Sequence, residues 1–504
     1  MTKFLFSLVA FAFFGTYSFA QPGALDPTLD TDGILLVNPT GVFDNAQDVI
    51  VLSDNKILLC GTTGTAMDFD IIVVKLNEDG SYDTSFGNNG VFTLSNTAGS
   101  DFAYDMALLP NGNIILVGAK SLTMADTEIA AWVIRVDGSL DPTFGVNGIY
   151  ETNLDSGEEY INQVLIHNNL IYLVGRKYTP GFSYTSIAVQ CIDIQGNLIT
   201  SFGTNGTAYY QTSPTDEFTV AGATIVTEGA IAICGDKYNP NTFSSTPMIL
   251  LMNLNGGPIA AFGNNGLWLD SSGGTYYDIE YSNSRLIAVG TNSSSSIARR
   301  HNLDGSLDPS FGSNGTFTNA VGGYSTFFDC TLGADNNWYA CGTTSSGFML
   351  RDFVTSRFSY DGMLDPTWGG TGNVVTSLGD SFDDAYGIAL QTDGRVVCAG
   401  LSSQELNDMG VVRYLANVVS QVEESSSFSI NAFPNPAKSE ITLTSSFSGN
   451  GTITILDMTG RVAMQNKTVV TSNQKINIES LPAGIYSVVI AIENKQSVVS
   501  FVKL

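Results

Sequence analysis

The sequence predicts an all-β protein: a seven-bladed β-propeller with four strands per blade, followed by a small β-sandwich. Two phrases, each repeated seven times at a spacing of about 58 residues, predict the propeller. Alternation of apolar and polar residues in the last 75 or so residues predicts the sandwich. Abundant glycine and aromatic residues, with only 14% charged residues, are typical of short strands joined by tight turns.

The first repeated phrase is Phe-Gly-x-Asn-Gly, often preceded by Leu-Asp-Pro-Thr or Leu-Asp-Pro-Ser. Its copies, including a variant at 372 and a degenerate one at 33, end at Gly33, Gly90, Gly148, Gly206, Gly266, Gly315 and Gly372. The second phrase is an apolar strand that ends in glycine, and it closes at Gly61, Gly118, Gly175, Gly235, Gly290, Gly342 and Gly400. Because the two phrases alternate and agree in number, the sequence predicts seven units.

Residues 90–148 show how one unit divides into four strands. We expect these strands at Val91–Leu94, Phe102–Leu109, Asn113–Val117 and Trp132–Val136. The second and third are joined by a Pro-Asn-Gly turn, which has the chemistry of a β-hairpin. Four short strands in a unit that occurs seven times predict a β-propeller.

The two ends of the repeat region predict how the ring closes. The last unit supplies only three strands, at Phe382–Leu390, Arg395–Cys398 and Val411–Leu415. The chain begins with the missing one, Gly33–Val37, and pairing it with the last unit leaves no open sheet edge. An open β-solenoid is the alternative, but a solenoid would more naturally start and stop on whole units.

The N-terminus predicts export. Lys3 precedes an apolar run, Phe4–Phe14, and small residues at 18 and 20 place a signal-peptidase site before Gln21. The run is shorter than the roughly twenty apolar residues that span a bilayer, so we expect no transmembrane segment. The predicted domains are a signal peptide at 1–20, the propeller at 21–415, a linker at 416–429 and the sandwich at 430–504.

The charge balance limits the partners. The formal net charge is −27, and the excess acid lies in the repeat region. Such a surface repels phosphate, which argues against nucleic acid and anionic lipid as partners. We expect a monomer without a cofactor, and acidity of this kind also suits Ca²⁺ without identifying a site.

The six cysteines are expected to be buried rather than bridged. Cys60, Cys234 and Cys341 each precede the glycine of the second phrase, so they occupy equivalent places in different blades. Small apolar core residues are expected there. One disulfide stays open as an alternative, between Cys330 and Cys341 across a hairpin.

The recurring phrase Asp-Gly-x-Leu-Asp-x-x-Phe-Gly-x-x-Gly resembles the delta-60 repeat of bacterial surface proteins. The resemblance covers roughly residues 25–415. It implies the propeller architecture and no particular activity.

The last 75 or so residues resemble the type A sorting domain of the type IX secretion route. Three spaced motifs carry the resemblance, Pro-Asn-Pro, Asp-x-x-Gly-Arg and Leu-x-x-Gly-x-Tyr, together with a basic residue in the last strand. The residues are Phe433, Pro434, Asn435, Pro436, Asp457, Gly460, Arg461, Gly484, Tyr486 and Lys503. The alternative is ordinary turn chemistry in a generic sandwich. The resemblance implies export across both membranes of a Gram-negative cell by the outer-membrane secretion machinery, to the medium or the cell surface.

The sequence carries few groups for catalysis. It has two histidines, His167 and His301, and neither a His-Glu-x-x-His nor a Gly-x-Ser-x-Gly motif. We therefore predict a non-enzymatic binding or structural module. The alternative is an extracellular hydrolase of polysaccharide or peptide, which would need two carboxylates about 5 to 10 Å apart in a cleft.

One acidic set recurs at the same place in four units, on the strand expected to be innermost. Its members are Asp48, Asp105, Asp278 and Asp329, and Gln163, Gly222 and Gly387 take that place in the other units. The set would suit a cation with oxygen ligands in the axial channel. The favoured interpretation is structural: each aspartate bonds a local turn or the backbone of a neighbouring blade.

The loops that follow the second phrase vary in length and content. Examples are Thr62–Asp70, Arg176–Ser186 and Asp236–Pro247. Successive turns of a blade alternate between the two faces of the disc, so these loops share one face, the variable face; the repeated turns form the uniform face. Variable loops on a rigid scaffold usually carry binding. We predict a protein or glycan ligand near Tyr178, Phe182, Tyr184, Tyr238 and Phe243, unless these aromatic residues only pack their own loops.

Overall fold

The computed structural model describes residues 21–65, 68–95, 99–123, 126–154, 158–178, 184–227, 229–347, 350–379, 382–403, 407–416, 430–445, 449–457, 462–471, 473–492 and 495–504. The predicted signal peptide, and all of the predicted linker except residue 416, lie outside the described residues. The described residues form two compact units, one within Ala20–Val418 and one within Val419–Leu504.

Seven four-stranded antiparallel sheets form the blades of a propeller, as predicted. The first strand, β1 (Ile34–Val37), belongs to blade 7. Blade 1 consists of β2 (Phe43–Val51), β3 (Ile57–Thr65), β4 (Asp68–Leu76) and β5 (Val91–Leu94). Blade 2 consists of β6 (Asp101–Leu108), β7 (Ile114–Thr123), β8 (Asp126–Ile134) and β9 (Ile149–Thr152).

Blades 3 to 6 repeat this order. Blade 3 consists of β10 (Glu159–His167), β11 (Leu170–Tyr178), β12 (Thr185–Asp193) and β13 (Thr207–Tyr210). Blade 4 consists of β14 (Glu217–Val226), β15 (Ala230–Asn239), β16 (Ser244–Asn253) and β17 (Leu267–Leu269). Blade 5 consists of β18 (Thr275–Ser282), β19 (Arg285–Asn292), β20 (Ser295–His301) and β21 (Thr316–Asn319). Blade 6 consists of β22 (Tyr324–Leu332), β23 (Asn337–Gly347), β24 (Leu350–Ser359) and β25 (Asn373–Thr376).

Blade 7 joins the two ends of the propeller. It consists of β26 (Asp383–Leu390), β27 (Val396–Ser402), β28 (Asp408–Tyr414) and, outermost, β1. β1 runs antiparallel to β28, with Leu36 opposite Gly410. The predicted closure by the N-terminal strand is therefore confirmed, and the open solenoid is excluded.

The first strand of every blade is innermost and carries one β-bulge. The inner strands of adjacent blades contact one another around the whole ring. In each blade the pairing between the first and second strands skips one residue, and the skipped residues are Gln47, Tyr104, Asn162, Ala221, Tyr277, Phe328 and Tyr386. A bulge turns an extra side chain out of the sheet, here toward the axis of the ring.

The bulge accounts for the glycine of the second phrase. A Cβ on Gly61 would overlap the carbonyl oxygen of Asn45, just before the bulge, and the equivalent glycine of each blade is equally crowded. The prediction that this glycine ends the strand was wrong, because β3 continues to Thr65 and β4 already begins at Asp68. The hairpins of the variable face are correspondingly shorter than the predicted loops.

The first phrase joins each blade to the next on the uniform face. The N–H of Gly87 donates to the carbonyl of Asp137 in the following blade at 2.8 Å. A Cβ on Gly138, the next residue, would overlap the backbone of Gly87, so only glycine fits there. Phe86 is fully buried and packs with residues of blades 1 and 2. The phrase therefore recurs because the same joint is built between neighbouring blades.

The six cysteines are buried and unbridged. A bridge between Cys330 and Cys341 is not formed. Cys330 lies opposite Ala340 and Cys341 lies opposite Asp329, so the two residues are one step out of register. Neighbouring residues of a strand point to opposite faces of the sheet, which keeps the two sulfur atoms apart.

The C-terminal unit consists of two sheets. One has the order β29 (Ile430–Phe433), β30 (Glu440–Ser445) and β33 (Asn473–Asn477). The other has the order β32 (Val462–Val470), β31 (Gly449–Asp457), β34 (Gly484–Ile492) and β35 (Lys495–Lys503). Apolar side chains of both sheets form one core, among them Ile441, Ile455 and Val488. The predicted small β-sandwich is confirmed.

Candidate functional site

An axial cavity of about 220 Å³ lies among the inner strands of the propeller. The bulge residues of all seven blades line it. The recurrent acidic set lines it too, because each of its members follows the bulge residue of its blade. The further lining residues are Asp48, Asp105, Gln163, Asp278 and Asp329. The structure thus brings the four predicted aspartates to one cavity.

Each of these aspartates accepts a hydrogen bond from the backbone of the next blade. The N–H of Met106 donates to Asp48 Oδ2 at 3.2 Å, and the N–H of Val164 donates to Asp105 Oδ2 at 2.7 Å. The other two bonds are Cys330 N–H to Asp278 Oδ2 at 3.3 Å and Ile388 N–H to Asp329 Oδ2 at 2.7 Å. These contacts tie the inner strands together in pairs.

The two blades that carry glycine in this position leave little room for a side chain. A Cβ on Gly222 would lie 2.8 Å from the Cα of Asp278, and one on Gly387 would lie 3.1 Å from the backbone nitrogen of Val49. At these two positions the close backbone of the next blade accounts for the absence of an acidic side chain.

Burial raises the pKa values of the axial carboxyl groups. Burial raises the pKa of Asp48 to about 6, and it raises the pKa of Asp105 well above the usual carboxyl range; a hydrogen bond joins the two side chains. The pKa values of Asp278 and Asp329, a second hydrogen-bonded pair, are raised for the same reason. Two adjacent buried carboxyl groups share a proton more readily than both ionise.

The described part of the chain contains no group of three or more His, Cys, Asp or Glu side chains arranged to hold a metal ion. In the axial cavity, one oxygen of each aspartate already accepts a backbone N–H. This geometry favours a structural role for Asp48, Asp105, Asp278 and Asp329, and Ca²⁺ binding stays a prediction.

A second pocket, of about 170 Å³, opens on the variable face between blades 3 and 4. Three of the five predicted aromatic residues line it, namely Tyr178, Tyr184 and Tyr238, together with Arg176 and Glu217. Phe182 lies outside the described residues, and Phe243 is 82% exposed near the tip of the β15–β16 hairpin.

Arg176 is the basic group of this pocket. The carbon at the centre of its guanidinium lies 5.4 Å from the ring centres of both Tyr160 and Tyr178, which is the range of cation–π contact. Its Nε is buried, with no hydrogen-bond partner among the described residues. The pocket therefore combines amphipathic tyrosine rings with a positioned cation in an otherwise acidic protein.

Sequence reasoning missed the role of the aspartate at the second position of Leu-Asp-Pro-Thr and of its variants in other blades. In four blades it pairs with a basic residue of the third strand: Lys75–Asp83 (3.4 Å), Arg300–Asp308 (3.1 Å), Arg357–Asp365 (2.7 Å) and Arg413–Asp26 (2.8 Å). In Arg300–Asp308 and Arg357–Asp365 the base precedes the acid by 8 residues. This spacing was the signal in the sequence that could have revealed the pairs.

The motifs of the C-terminal unit build its turns and edges. The side-chain oxygen of Asn435 accepts the N–H of Val502 at 2.9 Å, which fixes the Pro-Asn-Pro segment beside β35. The Tyr486 hydroxyl donates to the carbonyl of Pro482 at 2.9 Å and closes the Leu-Pro-Ala-Gly turn. The other motif residues Phe433, Pro434, Pro436, Gly484 and Lys503 lie in the same unit; Asp457 ends β31, and Gly460 and Arg461 lie outside the described residues.

Two family models match the chain. The model of a secretion system C-terminal sorting domain matches residues 431–503. A domain of unknown function described as a β-propeller, DUF5122, matches residues 52–86. No curated protein matches the chain. Within the described ranges, no helix has the length and apolar character that a membrane crossing requires.

Three solved structures resemble the chain at low sequence identity. Sqt1 from Chaetomium thermophilum is 13% identical with a TM-score of 0.41, over 75% of this chain and 96% of that one. A putative oxidoreductase (glucose dehydrogenase) from Thermus thermophilus is 9% identical with a TM-score of 0.37, over 76% and 99%. The polysaccharide lyase Uly1 is 9% identical with a TM-score of 0.41, over 74% and 90%. Likeness at this level carries no argument about activity.

The seven repeated blades and the matched C-terminal motifs agree with both family models. The chain therefore combines a seven-bladed β-propeller, of which residues 52–86 match the DUF5122 β-propeller model, with a C-terminal domain that matches the secretion-system sorting domain over residues 431–503 and directs export to the extracellular space or the cell surface.

Proposed function

We propose that the exported propeller is a binding module, and that the pocket between blades 3 and 4 takes a carboxylate-bearing group of an extracellular ligand. The observation that carries the proposal is the convergence of Tyr178, Tyr184 and Tyr238 on Arg176 at the variable face. A planar guanidinium recognises a carboxylate through paired hydrogen bonds. Tyrosine rings beside it give contact area at low entropic cost.

The charge of the protein supports this choice of ligand chemistry. A net charge of −27 repels anions over most of the surface, so an anionic group is retained only where a cation is positioned for it. Arg176 is such a cation, and its Nε has no hydrogen-bond partner among the described residues. Glu217 lies in the same pocket and is suited to hydroxyl or amide donors of the ligand.

The axial carboxyl groups give little support to the hydrolase alternative. A glycosidase pair needs one carboxylate free to attack or to activate water. Asp48 and Asp105 are bonded to each other and to backbone N–H groups of the next blade. A binding role explains the tyrosine-lined pocket without calling on these groups.

The test is a binding titration of the mature protein with three probes. They are a uronic-acid oligosaccharide, a peptide with a free C-terminal carboxylate and the same peptide as its amide. We expect saturable binding of a carboxylate probe, weakened about tenfold or more in Arg176→Gln, since a charged hydrogen-bond partner is lost. Arg135→Gln, on the uniform face, is the matched control and should bind normally. Failure of both carboxylate probes to bind, or full binding by Arg176→Gln, would overturn the proposal.

A further inference from the structure

In every blade, one residue of the third strand pairs with the residue at the second position of Leu-Asp-Pro-Thr or its variant; the latter is called the phrase residue below. The phrase residue donates its backbone N–H to the carbonyl of the third-strand residue, at 2.7 to 2.9 Å. The seven pairs, third-strand residue first, are Lys75–Asp83, Val133–Asp141, Cys191–Ile199, Leu251–Ile259, Arg300–Asp308, Arg357–Asp365 and Arg413–Asp26. Since the backbone geometry repeats, the side chains at these positions are directly comparable.

In six blades the two side chains of the pair are compatible in charge: they are either oppositely charged or both uncharged. Blades 1, 5, 6 and 7 combine an aspartate with a lysine or an arginine, and blades 3 and 4 combine isoleucine with an uncharged residue. Blade 2 alone breaks the rule, because Asp141 faces Val133. Blade 2 therefore keeps the acid but has no base at the paired position of its third strand.

The arginine of the other blades shows what this environment binds. Arg300 donates to Asp308 and to Ser310, and its guanidinium carbon lies 4.9 Å from the ring centre of Phe311. It also donates to the carbonyl of Tyr360 in the next blade at 2.5 Å. Arg357 and Arg413 repeat these contacts with the corresponding residues of their own and the following blades.

In blade 2 the same surroundings line a cavity of about 400 Å³ on the uniform face. Asp141, Thr143 and Phe144 correspond to Asp308, Ser310 and Phe311, and Ile194 of the next blade corresponds to Tyr360. Val133 lines the cavity where the arginine stem lies in blade 5. Every group that holds the guanidinium of Arg300 therefore has a counterpart around this cavity.

We propose that the cavity between blades 2 and 3 binds a guanidinium group supplied by another molecule, most simply an arginine side chain of a protein partner. The site is separate from the variable-face pocket and does not depend on the function proposed for it.

The existing contacts of Asp141 leave the proposal intact. Asn113 donates to its Oδ2 at 2.9 Å, and Arg135, whose side chain is 42% exposed, reaches its Oδ1 at 3.2 Å. Elsewhere in the ring one such carboxylate serves two cations at once. Asp308, for example, pairs with both Arg285 at 2.9 Å and Arg300 at 3.1 Å.

The experiment uses the mature protein and two small probes, N-acetyl-arginine amide and its neutral counterpart N-acetyl-citrulline amide, titrated by NMR or calorimetry. We expect the arginine probe to bind saturably and the citrulline probe to bind at least about tenfold more weakly, because the charge-assisted hydrogen bonds are lost. Equal binding of the two probes, or binding of neither, would overturn the proposal.

Two variants then locate the site. Asp141→Asn should weaken binding of the arginine probe about tenfold or more, and Val133→Arg should abolish it while raising the melting temperature, because the chain then supplies its own guanidinium. Asp365→Asn is the matched control: Arg357 occupies that blade, so binding should be unchanged. If Val133→Arg does not fold, Asp141→Asn decides alone, and normal binding by Asp141→Asn contradicts the assignment.

Discussion

Arg413 Nε donates to Asp26 Oδ2 at 2.8 Å, and both side chains are almost completely buried. The two residues are 387 positions apart in the chain. The same guanidinium donates to the hydroxyl of Thr28 at 2.7 Å and to the backbone of Glu78 in blade 1. One arginine thus connects the last blade, the N-terminal segment and the first blade, beside the ladder that β1 forms with β28.

Replacement of this arginine should destabilise the propeller. In Arg413→Met the carboxylate of Asp26 stays buried with only Arg395 near it, so we expect the free energy of unfolding to fall by about 3 kcal/mol. The matched control is Arg135→Met: this half-exposed arginine pairs with Asp141, which keeps its hydrogen bond from Asn113, so a loss below about 1 kcal/mol is expected. Urea denaturation followed by tryptophan fluorescence measures both, and equal losses would argue against a special role of Arg413.

The glycine opposite the bulge should tolerate no side chain. A Cβ on Gly342 would overlap the carbonyl oxygen of Thr326, so Gly342→Ala must push β22 and β23 apart. We expect a loss of about 2 to 3 kcal/mol, as for overpacked cores. Gly323→Ala, in the same blade, meets only Ser345 O at 3.4 Å and serves as the control. A melting temperature of Gly342→Ala no lower than that of Gly323→Ala would contradict the proposed reason for the glycine.

The axial carboxyl groups predict a pH dependence of stability. Burial raises the pKa of Asp48 from 3.8 to about 6, so between these pH values the folded chain holds a proton that the unfolded chain releases. The free energy of unfolding must then fall as the pH rises from about 4 to about 6, by at most roughly 1.4 kcal/mol per pH unit for one group. The raised pKa values of Asp105, Asp278 and Asp329 contribute a pH dependence of the same sign.

Asp48→Asn tests this assignment through the slope, because an asparagine cannot titrate. Denaturation at several pH values between 4 and 7 should give a smaller slope than that of the native chain. Asp137→Asn is the control: a hydrogen bond from Ser139 lowers the pKa of Asp137, so its effect lies below pH 3.8. An unchanged slope in Asp48→Asn, or stability that rises with pH over this range, would refute the prediction.

Export should depend on the C-terminal domain. Removal of Phe428–Leu504 takes away the whole unit matched by the sorting-domain model and leaves every strand of the propeller in place. We expect the shortened protein to fold and to remain in the periplasm. Cell fractionation with the full-length chain as reference measures this, and normal amounts of shortened protein at the surface or in the medium would contradict the sorting assignment.

The propeller was predictable from the sequence because it is repetitive: the first phrase forms the same contact between neighbouring blades and therefore recurs in each unit. The strand Val91–Leu94 and the pairing of Gly33–Val37 with the last blade followed from phrase positions alone. The bulge was not predicted. The only sign of the bulge in the sequence is the glycine on the facing strand, such as Gly61, and a glycine at that place is equally compatible with the end of a strand.

The candidate sites were predictable only in part, because they depend on contacts between blades. The recurrence of Asp48 and its equivalents indicated a shared place, but not which backbone N–H each carboxylate accepts. Tyr178, Tyr184 and Tyr238 were expected on one face, yet their convergence on Arg176 depends on how blades 3 and 4 meet. The mismatch of Val133 with Asp141 becomes visible only when the pairs of all seven blades are aligned by their backbone hydrogen bonds.

The most direct test of the closed propeller is removal of Leu25–Val37 from the mature chain. This deletes β1 and exposes the edge of β28, where every second amide, including those of Val411 and Arg413, then lacks its partner. Hydrogen exchange of Val411 and Arg413, with the melting temperature, is the measurement. The closed ring predicts a lower melting temperature, lost protection in β28 and loosening that begins in blades 7 and 1, because repeat units couple mainly to their neighbours. An unchanged melting temperature with β28 still protected would contradict closure by the N-terminal strand.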